Sequence, residues 1–540
     1  FTQGGVISDD LRSKMTGLQN GSTLPVMVFL KNQADLDNFT SGREGADRLI
    51  RHLQEIAEQS QKPVLRFLED SGYDSEIKTF WINNSLALEA APDLVRQLAA
   101  QDQVQIIEFD APVKLMDSEL IQNNNQSRDT YWNLNIVGVP DVWNVYGLDG
   151  TGIILGSMDT GMDITHPALV GKWRGGTNSW LDLVNGQTTP YDDHGHGTHT
   201  IGTMVGGDGP GPFTNDIGVA YNAKVISAKV LDQNNSFSSA SIVIAGAQWM
   251  LDPDGNPNTD DFPHVINNSW YFFSSTYTGF YTAASAWRAA GIIPVFCQGN
   301  EGPNASTTRP PGSYNNVIGV GATTSSDAIA SFSSRGPAPI GTAFPTDGRK
   351  PDLSAPGQSV TSCLPGGVYA AWSGTSMAAP NVAATIGLML QYNPSLDYEQ
   401  ISDILTTTAL DLGTAGYDYA FGYGRMDSYA ALTRLANVTA VEEPLVTQTL
   451  FRLGAAVPNP ATISTDISFE ISESRPVHLS IYGVDGRLVS RLIPGTTMQG
   501  RHRVRWNGRD DNGVLAPSGV YFYKLESGAY AETKSMVLVK

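Results

Sequence analysis

Cysteine is nearly absent: Cys297 and Cys363 are the only two in 540 residues. Thiols this far apart in sequence exclude a disulfide framework and a zinc site built from paired cysteines, so the fold has to rest on buried apolar surface. Long apolar runs are missing too, and none reaches the roughly 18–20 residues of a membrane-crossing helix. Basic charge is scarce, 34 Lys and Arg against 54 Asp and Glu, a formal net charge of −20 with no dense Lys/Arg run. A nucleic-acid partner therefore lacks its electrostatic footprint. The opening Phe1-Thr2-Gln3-Gly4-Gly5 has no charged-then-apolar leader, so the protein is either cytosolic or has lost its leader. No repeat at a 20–50-residue period supports a solenoid or propeller.

What is present is enough apolar residues, 41%, to pack domains throughout. At about 150 residues per domain the length predicts three to four. Residues 1–116 read as strand, helix, strand, helix, strand: apolar runs at 24–30, 80–88 and 103–109, with helical stretches at 42–71 and 92–100. The polar segment 117–130, with Gln122-Asn123-Asn124-Asn125-Gln126, reads as an exposed linker open to proteolysis. From 131 to 440 apolar strands at 153–158, 224–231, 265–269, 292–296 and 317–320 alternate with helices. That pattern predicts an α/β fold with a parallel sheet covered on both faces. Beyond Val441-Glu442-Glu443-Pro444 the pattern turns to strands and turns only, predicting a β-sandwich over 441–540.

Three clusters in the middle domain fall where strands end or helices begin, the place where open α/β sheets build sites. They are Gly156-Ser157-Met158-Asp159-Thr160-Gly161, then Asp193-His194-Gly195-His196-Gly197-Thr198-His199, then Gly374-Thr375-Ser376-Met377-Ala378-Ala379-Pro380. A serine hydroxyl is inert until a base takes its proton, and a carboxylate orients that base. Acid, imidazole and hydroxyl in that chain order distinguish this arrangement from two other well-known serine-hydrolase layouts.

With Val265-Ile266-Asn267-Asn268-Ser269-Trp270 and Gln298-Gly299-Asn300-Glu301-Gly302 added, residues 131–435 resemble the subtilisin-like serine proteases, and among them the bacillopeptidase F-like branch. The resemblance implies that Asp159 orients, His196 is the general base, Ser376 is the nucleophile and Asn300 donates to the oxyanion. His194 and His199 compete with His196 and could ligate or cap; Asp163 and His166 read as turn residues. Substrate-binding candidates are Asn235, Ser236, Ser269, Trp270, Tyr271, Gly299 and Arg309. Arg309 falls where the family has a small residue at the base of the primary specificity pocket, between a wall of Ser269, Trp270 and Tyr271 and one of residues 297–299. A guanidinium there would favour Glu or Asp on the acyl side of the cut; an Arg turned to solvent would leave a pocket for large apolar residues. Cys297 reads as a small buried hydrophobe rather than a reactive thiol.

The chain departs from the family pattern at Asn381, where His is usual, and at Ala168, where an Asp often binds calcium; the usual calcium loop is not recognisable in 211–217. No cofactor is expected for catalysis, and structural calcium, although a family property, lacks its usual site here. Residues 1–116 resemble the family's inhibitory propeptide, an α+β ferredoxin-like domain acting on its own protease from within the chain. The last 90 residues or so resemble the immunoglobulin-like domains, including sorting domains, that end many secreted bacterial enzymes. Together these imply a self-processed zymogen, secreted or at the cell surface, acting on proteins and peptides. The alternative from another class is a non-catalytic adhesion or scaffold protein, which would show a broken triad.

Overall fold

The computed structural model describes residues 5–539 except 20, 37–38, 40–41, 116–131, 208–216, 234–237, 443–450, 458, 463 and 528–529. The elements of the first 110 residues are β1 (Val6–Ile7), α1 (Asp9–Thr16), β2 (Leu24–Leu30), α2 (Ala46–Asp70), β3 (Ile77–Phe80), β4 (Ser85–Ala90), α3 (Pro92–Ala99) and β5 (Val104–Phe109). They build a five-stranded sheet in the order β1-β5-β2-β4-β3. Along β2 alternate side chains part company. Val26, Val28 and Leu30 join Leu11, Val64, Leu68, Val95 and Leu98 of the three helices. Met27 and Phe29 join Trp270, Phe272 and Phe280 of the central domain. The strand reads as one unbroken apolar run because both its faces are covered. The single strand expected at 80–88 is instead two, β3 and β4. Asn84 turns the chain between them at φ 45°, a conformation asparagine tolerates better than most residues.

The chain then gives β6 (Pro112–Leu115) and, in the central domain, α4 (Trp132–Ile136), α5 (Val139–Tyr146), β7 (Ile154–Asp159), β8 (Trp180–Asp182), α6 (His196–Val205), β9 (Lys224–Lys229), β10 (Ser238–Ser239), α7 (Ala240–Leu251), β11 (Val265–Asn268), β12 (Trp270–Phe272), α8 (Tyr281–Ala289), β13 (Ile293–Cys297), β14 (Ile318–Thr323) and β15 (Leu353–Pro356). The hairpin β16 (Val360–Leu364) and β17 (Val368–Trp372) precedes α9 (Thr375–Tyr392), α10 (Tyr398–Thr408) and α11 (Ser428–Glu442). Seven strands run parallel in the order β15-β14-β13-β11-β7-β9-β8. Leu155, Val225, Val265 and Val295 pack on α6 and α9, while Met158, Ile226, Ile266 and Phe296 pack on α7 and α8. Both faces are thereby buried, as the apolar runs predicted. Each wholly buried Leu, Ile, Val or Phe contributes about 1.5–3 kcal/mol.

Residues Phe1–Val438 form one compact unit and Thr439–Lys540 a second. The second unit is antiparallel: β18 (Phe451–Val457), β19 (Thr465–Gly483), β20 (Leu488–Trp506), β21 (Gly519–Ser527) and β22 (Tyr530–Leu538) enclose Leu453, Phe469, Leu479, Trp506, Tyr523 and Leu525. Register shifts break the β19–β20 ladder. Such irregularities bend long strands, allowing one strand to serve both layers of a sandwich.

Candidate active site

Asp159 ends β7 and His196 begins α6, and two glycines let those backbones touch. A Cβ on Gly161, whose φ is +128°, would lie 2.0 Å from the Tyr191 carbonyl, and one on Gly197 would lie 2.2 Å from the Gly161 carbonyl. Neither contact tolerates a side chain. The close approach brings His196 Nδ1 to 2.7 Å from Asp159 Oδ1, with both side chains fully buried. Asp159 Oδ1 also accepts from Thr160 N at 2.7 Å, and Oδ2 from Thr200 Oγ1 at 3.3 Å. The carboxylate holds Nδ1 as the protonated nitrogen, which makes Nε2 the basic one. Nε2 is enclosed and has no hydrogen-bond partner.

Ser376 opens α9, which packs against α6. Its Oγ donates to the Ser269 carbonyl at 3.2 Å, and Ser269 Oγ donates to the Ser376 carbonyl at 3.0 Å. The hydrogen bond from Ser376 to His196 is therefore not formed in this structure; such bonds commonly tighten only with substrate. Asn300 Oδ1 accepts from Thr375 N at 2.9 Å and Thr375 Oγ1 at 3.1 Å, which assigns Nδ2 as the outward-facing amide. That nitrogen lies 3.1 Å from where a Gly374 Cβ would stand, two residues before Ser376. An amide donor here suits a developing oxyanion.

The cleft is bounded by backbone. β12 pairs antiparallel with β6, Trp270 opposite Leu115, Tyr271 opposite Lys114 and Phe272 opposite Val113, and β10 pairs with the other edge of β6. A segment of the first 116 residues thus lies as the middle strand of a three-stranded ladder. Trp270 pairs through its main chain, and its indole is fully buried among Phe272, Phe280 and Phe296, with Met27 and Phe29 of the first 116 residues in the same cluster. Tyr271 OH donates to Glu301 Oε1 at 2.8 Å, and burial pushes this phenol well above its ordinary pKa. Arg309 packs its Cγ 3.2 Å from the Gly299 Cβ position and brings Nη2 to 3.6 Å from Glu301 Oε2. The guanidinium already faces a carboxylate of its own chain. Asn235 and Ser236 lie outside the described residues.

The competing residues have structural occupations. His199 Nε2 lies 3.1 Å from the Val360 carbonyl, its ring stacks on Trp372 at 5.0 Å, and burial drops its pKa to about 3. His194, lowered by burial and then by His196, stands 6.3 Å from the His196 ring. Asp163 accepts from Thr165 N within its own turn and from Gly366 N across the fold, and His166 Nδ1 accepts from Ala168 N while its Nε2 lies 3.0 Å from the Val368 carbonyl. The Cys297 thiol, pushed up to about 12 by burial, is inert. Asn381 joins Asn133, Pro356 and Met377 in a buried network, a packing role. Most of the 211–217 loop lies outside the described residues. Among the described residues one carboxylate trio, Asp252, Asp254 and Asp261, comes within 4.8 Å.

Sequence reasoning missed Asp192. It is buried, and it accepts from Thr160 Oγ1, His194 N and Gly195 N on one oxygen and from Thr198 N and Oγ1 on the other. One side chain thereby fixes the loop that carries the imidazole. Asp192 stands immediately before the motif that begins at Asp193, and nothing local said which of the two acids turned inward.

Acid at a strand end, imidazole at one helix start and hydroxyl at the start of a buried helix, all on a parallel sheet, are the groups and the setting that a serine hydrolase requires. Comparison with known proteins agrees: residues 150–424 match the subtilase family, and residues 460–529 match the FlgD Ig-like domain. The chain belongs to the subtilase family, a family of serine endopeptidases. It is 33% identical to bacillopeptidase F of Bacillus subtilis (strain 168) over 423 residues, covering 72% of this chain and 29% of that one. It is 27% identical to the minor extracellular protease Epr of the same strain over 424 residues, 78% of this chain and 56% of that one. It is 34% identical to subtilisin of Bacillus pumilus over 291 residues, 53% of this chain and 92% of that one. The chain thus spans less than two thirds of bacillopeptidase F and of Epr. Among the described residues no helix is long and apolar enough to cross a membrane.

Proposed function

We propose that this chain is a secreted serine endopeptidase, made as a zymogen that cuts itself between its first 116 residues and the central domain. Ser376 Oγ attacks the scissile carbonyl while His196 Nε2 takes its proton. Asp159 stabilises the imidazolium, and Asn300 Nδ2 with the Ser376 backbone N–H holds the oxyanion. His196 then gives the proton to the leaving amine, and water repeats the sequence on the acyl-enzyme. The chain itself supplies nucleophile, base and oxyanion donors, so this chemistry calls for no added group.

The observation that carries the reading is the β6–β12 ladder, which holds a segment of the chain in the extended form a protease requires of its substrate. The residues ahead of it are anchored to the same domain. Asp110 accepts from Ser241 N and Oγ at the start of α7, and Gln248 Oε1 accepts from Trp81 N and Ile82 N. Arg43 reaches Asp260 and the Phe262 and Pro263 carbonyls. Residues 1–116 therefore serve as inhibitor until the cut. Secretion accords with the extracellular protease named among the relatives and with a C-terminal Ig-like unit. The test is labelling of purified protein with a fluorophosphonate: modification of Ser376 and loss of proteolysis are expected, whereas full activity with Ser376 unmodified overturns the reading.

A further inference from the structure

Lys229 ends β9 and is the cross-strand partner of Asp159. Its side chain is entirely buried, and its ammonium donates to Thr160 O at 2.6 Å, Asp193 Oδ1 at 2.6 Å and Leu231 O at 3.0 Å. All three donors of the ammonium are used. The acceptors lie in three different places: the residue after the acid, the loop three residues ahead of the base, and the segment leaving β9. That segment returns the contact, since Val230 N and Leu231 N both donate to the Asp159 carbonyl. A buried ammonium is a costly way to fill core volume that an apolar side chain would fill without penalty. Its geometry gives it another use: one point charge ties the strand end bearing Asp159 to the loop bearing His196.

We propose that Lys229 is a positioning residue for peptide hydrolysis, fixing the acid against the base through Thr160 and Asp193 and, paired with Asp193, setting the field at the imidazole. This rests on the roles given above to Asp159, His196 and Ser376. The titratable groups that face His196 are Asp159 on β7, His194 in the preceding loop and His199 on α6, while Asp192 and Asp193 sit in that same loop and Lys229 on β9 reaches it through Asp193. Lys229 and Asp193 carry opposite charges in this group, so removing either should move the base in opposite directions.

The experiment compares full-length Lys229→Met, Asp193→Asn and the double variant with the parent after self-processing. It measures peptide hydrolysis against pH, with rates expressed per active site counted by fluorophosphonate titration, so that unfolded protein drops out. Expected for Lys229→Met is a kcat per site lower by about 10- to 100-fold with KM within about twofold. Its acidic limb of kcat/KM should rise by about half a pH unit. In Asp193→Asn the limb should fall, and in the double variant it should return towards the parent's position. Unmoved limbs in both single variants, shifts of the same sign, or a parent-like kcat per site in Lys229→Met overturn the proposal. Should Lys229→Met give no titratable sites, the direction of the Asp193→Asn limb decides alone. A Ser376→Ala chain that still processes itself would instead overturn the assignment of the site, independently of Lys229.

Discussion

Leu115 stands directly opposite Trp270 in an antiparallel ladder, and Lys114 opposite Tyr271. An antiparallel strand continued in that register presents its next residue to Ser269, whose carbonyl accepts the Ser376 hydroxyl. The next residue in sequence is Met116. Self-processing should therefore cut the Met116–Asp117 bond, and amino-terminal sequencing of the mature protein should read Asp117-Ser118-Glu119. A start at Ser118 or Leu120 would mean that acidic residues are preferred and that the register is not the one used for cleavage.

Primary specificity should follow the internal pairing of Arg309. With Glu301 Oε2 at 3.6 Å from its Nη2, the cation has a local counter-charge, and large apolar residues should be favoured on the acyl side of the cut. Glu301→Gln removes that counter-charge and should raise the relative kcat/KM for acidic residues by about 10-fold, consistent with one charged hydrogen bond. A peptide library profiled on parent, Glu301→Gln and Arg309→Ala reads this out. An acidic preference in the parent that Arg309→Ala abolishes would contradict it.

Asn300→Ala should lower kcat by about 10²–10³ with little change in KM, a magnitude that belongs to subtilisin's own oxyanion donor and is carried here by family. The reason is that Nδ2 would meet the oxygen only once it becomes an oxyanion. A variant whose loss falls mainly on KM would instead place Asn300 in ground-state binding.

Glu108 should make the uncut precursor sensitive to pH. Burial, and then Asp10, pushes its carboxyl up to about 7, and Oε2 is enclosed without a partner. A carboxyl raised on folding favours the folded form while protonated, so its contribution is present at low pH and lost as pH rises towards 7 and beyond. In an uncleavable Ser376→Ala background, Glu108→Gln should leave Tm nearly unchanged at pH 4.5 and raise it relative to the parent at pH 8. An equal difference at both pH values would show that Glu108 does not titrate in this range.

The local motifs made the reacting groups legible because each depends on close backbone approach or helix initiation, which leaves small residues in the sequence: Gly161 and Gly197 had to be glycine for the acid and imidazole to meet. The parallel sheet was equally legible, since strands covered on both faces are apolar throughout. What sequence could not decide was which charge faces which. That Asp192 rather than Asp193 collects the loop's N–H groups, that Lys229 is buried across from Asp159, and that Glu301 stands beside Arg309 all depend on residues far apart in the chain. Periodicity carries no signal for such pairs, because a polar side chain aimed inward has the same sequence context as one in water. The split of 80–88 into two strands was likewise decided by Asn84, whose left-handed turn is secured by its amide on Asn32 O and Ser60 Oγ. Sequence determined the family and the layers; tertiary structure alone determined the register of the cleft and the counter-charges, since both arise only when distant segments exclude water together.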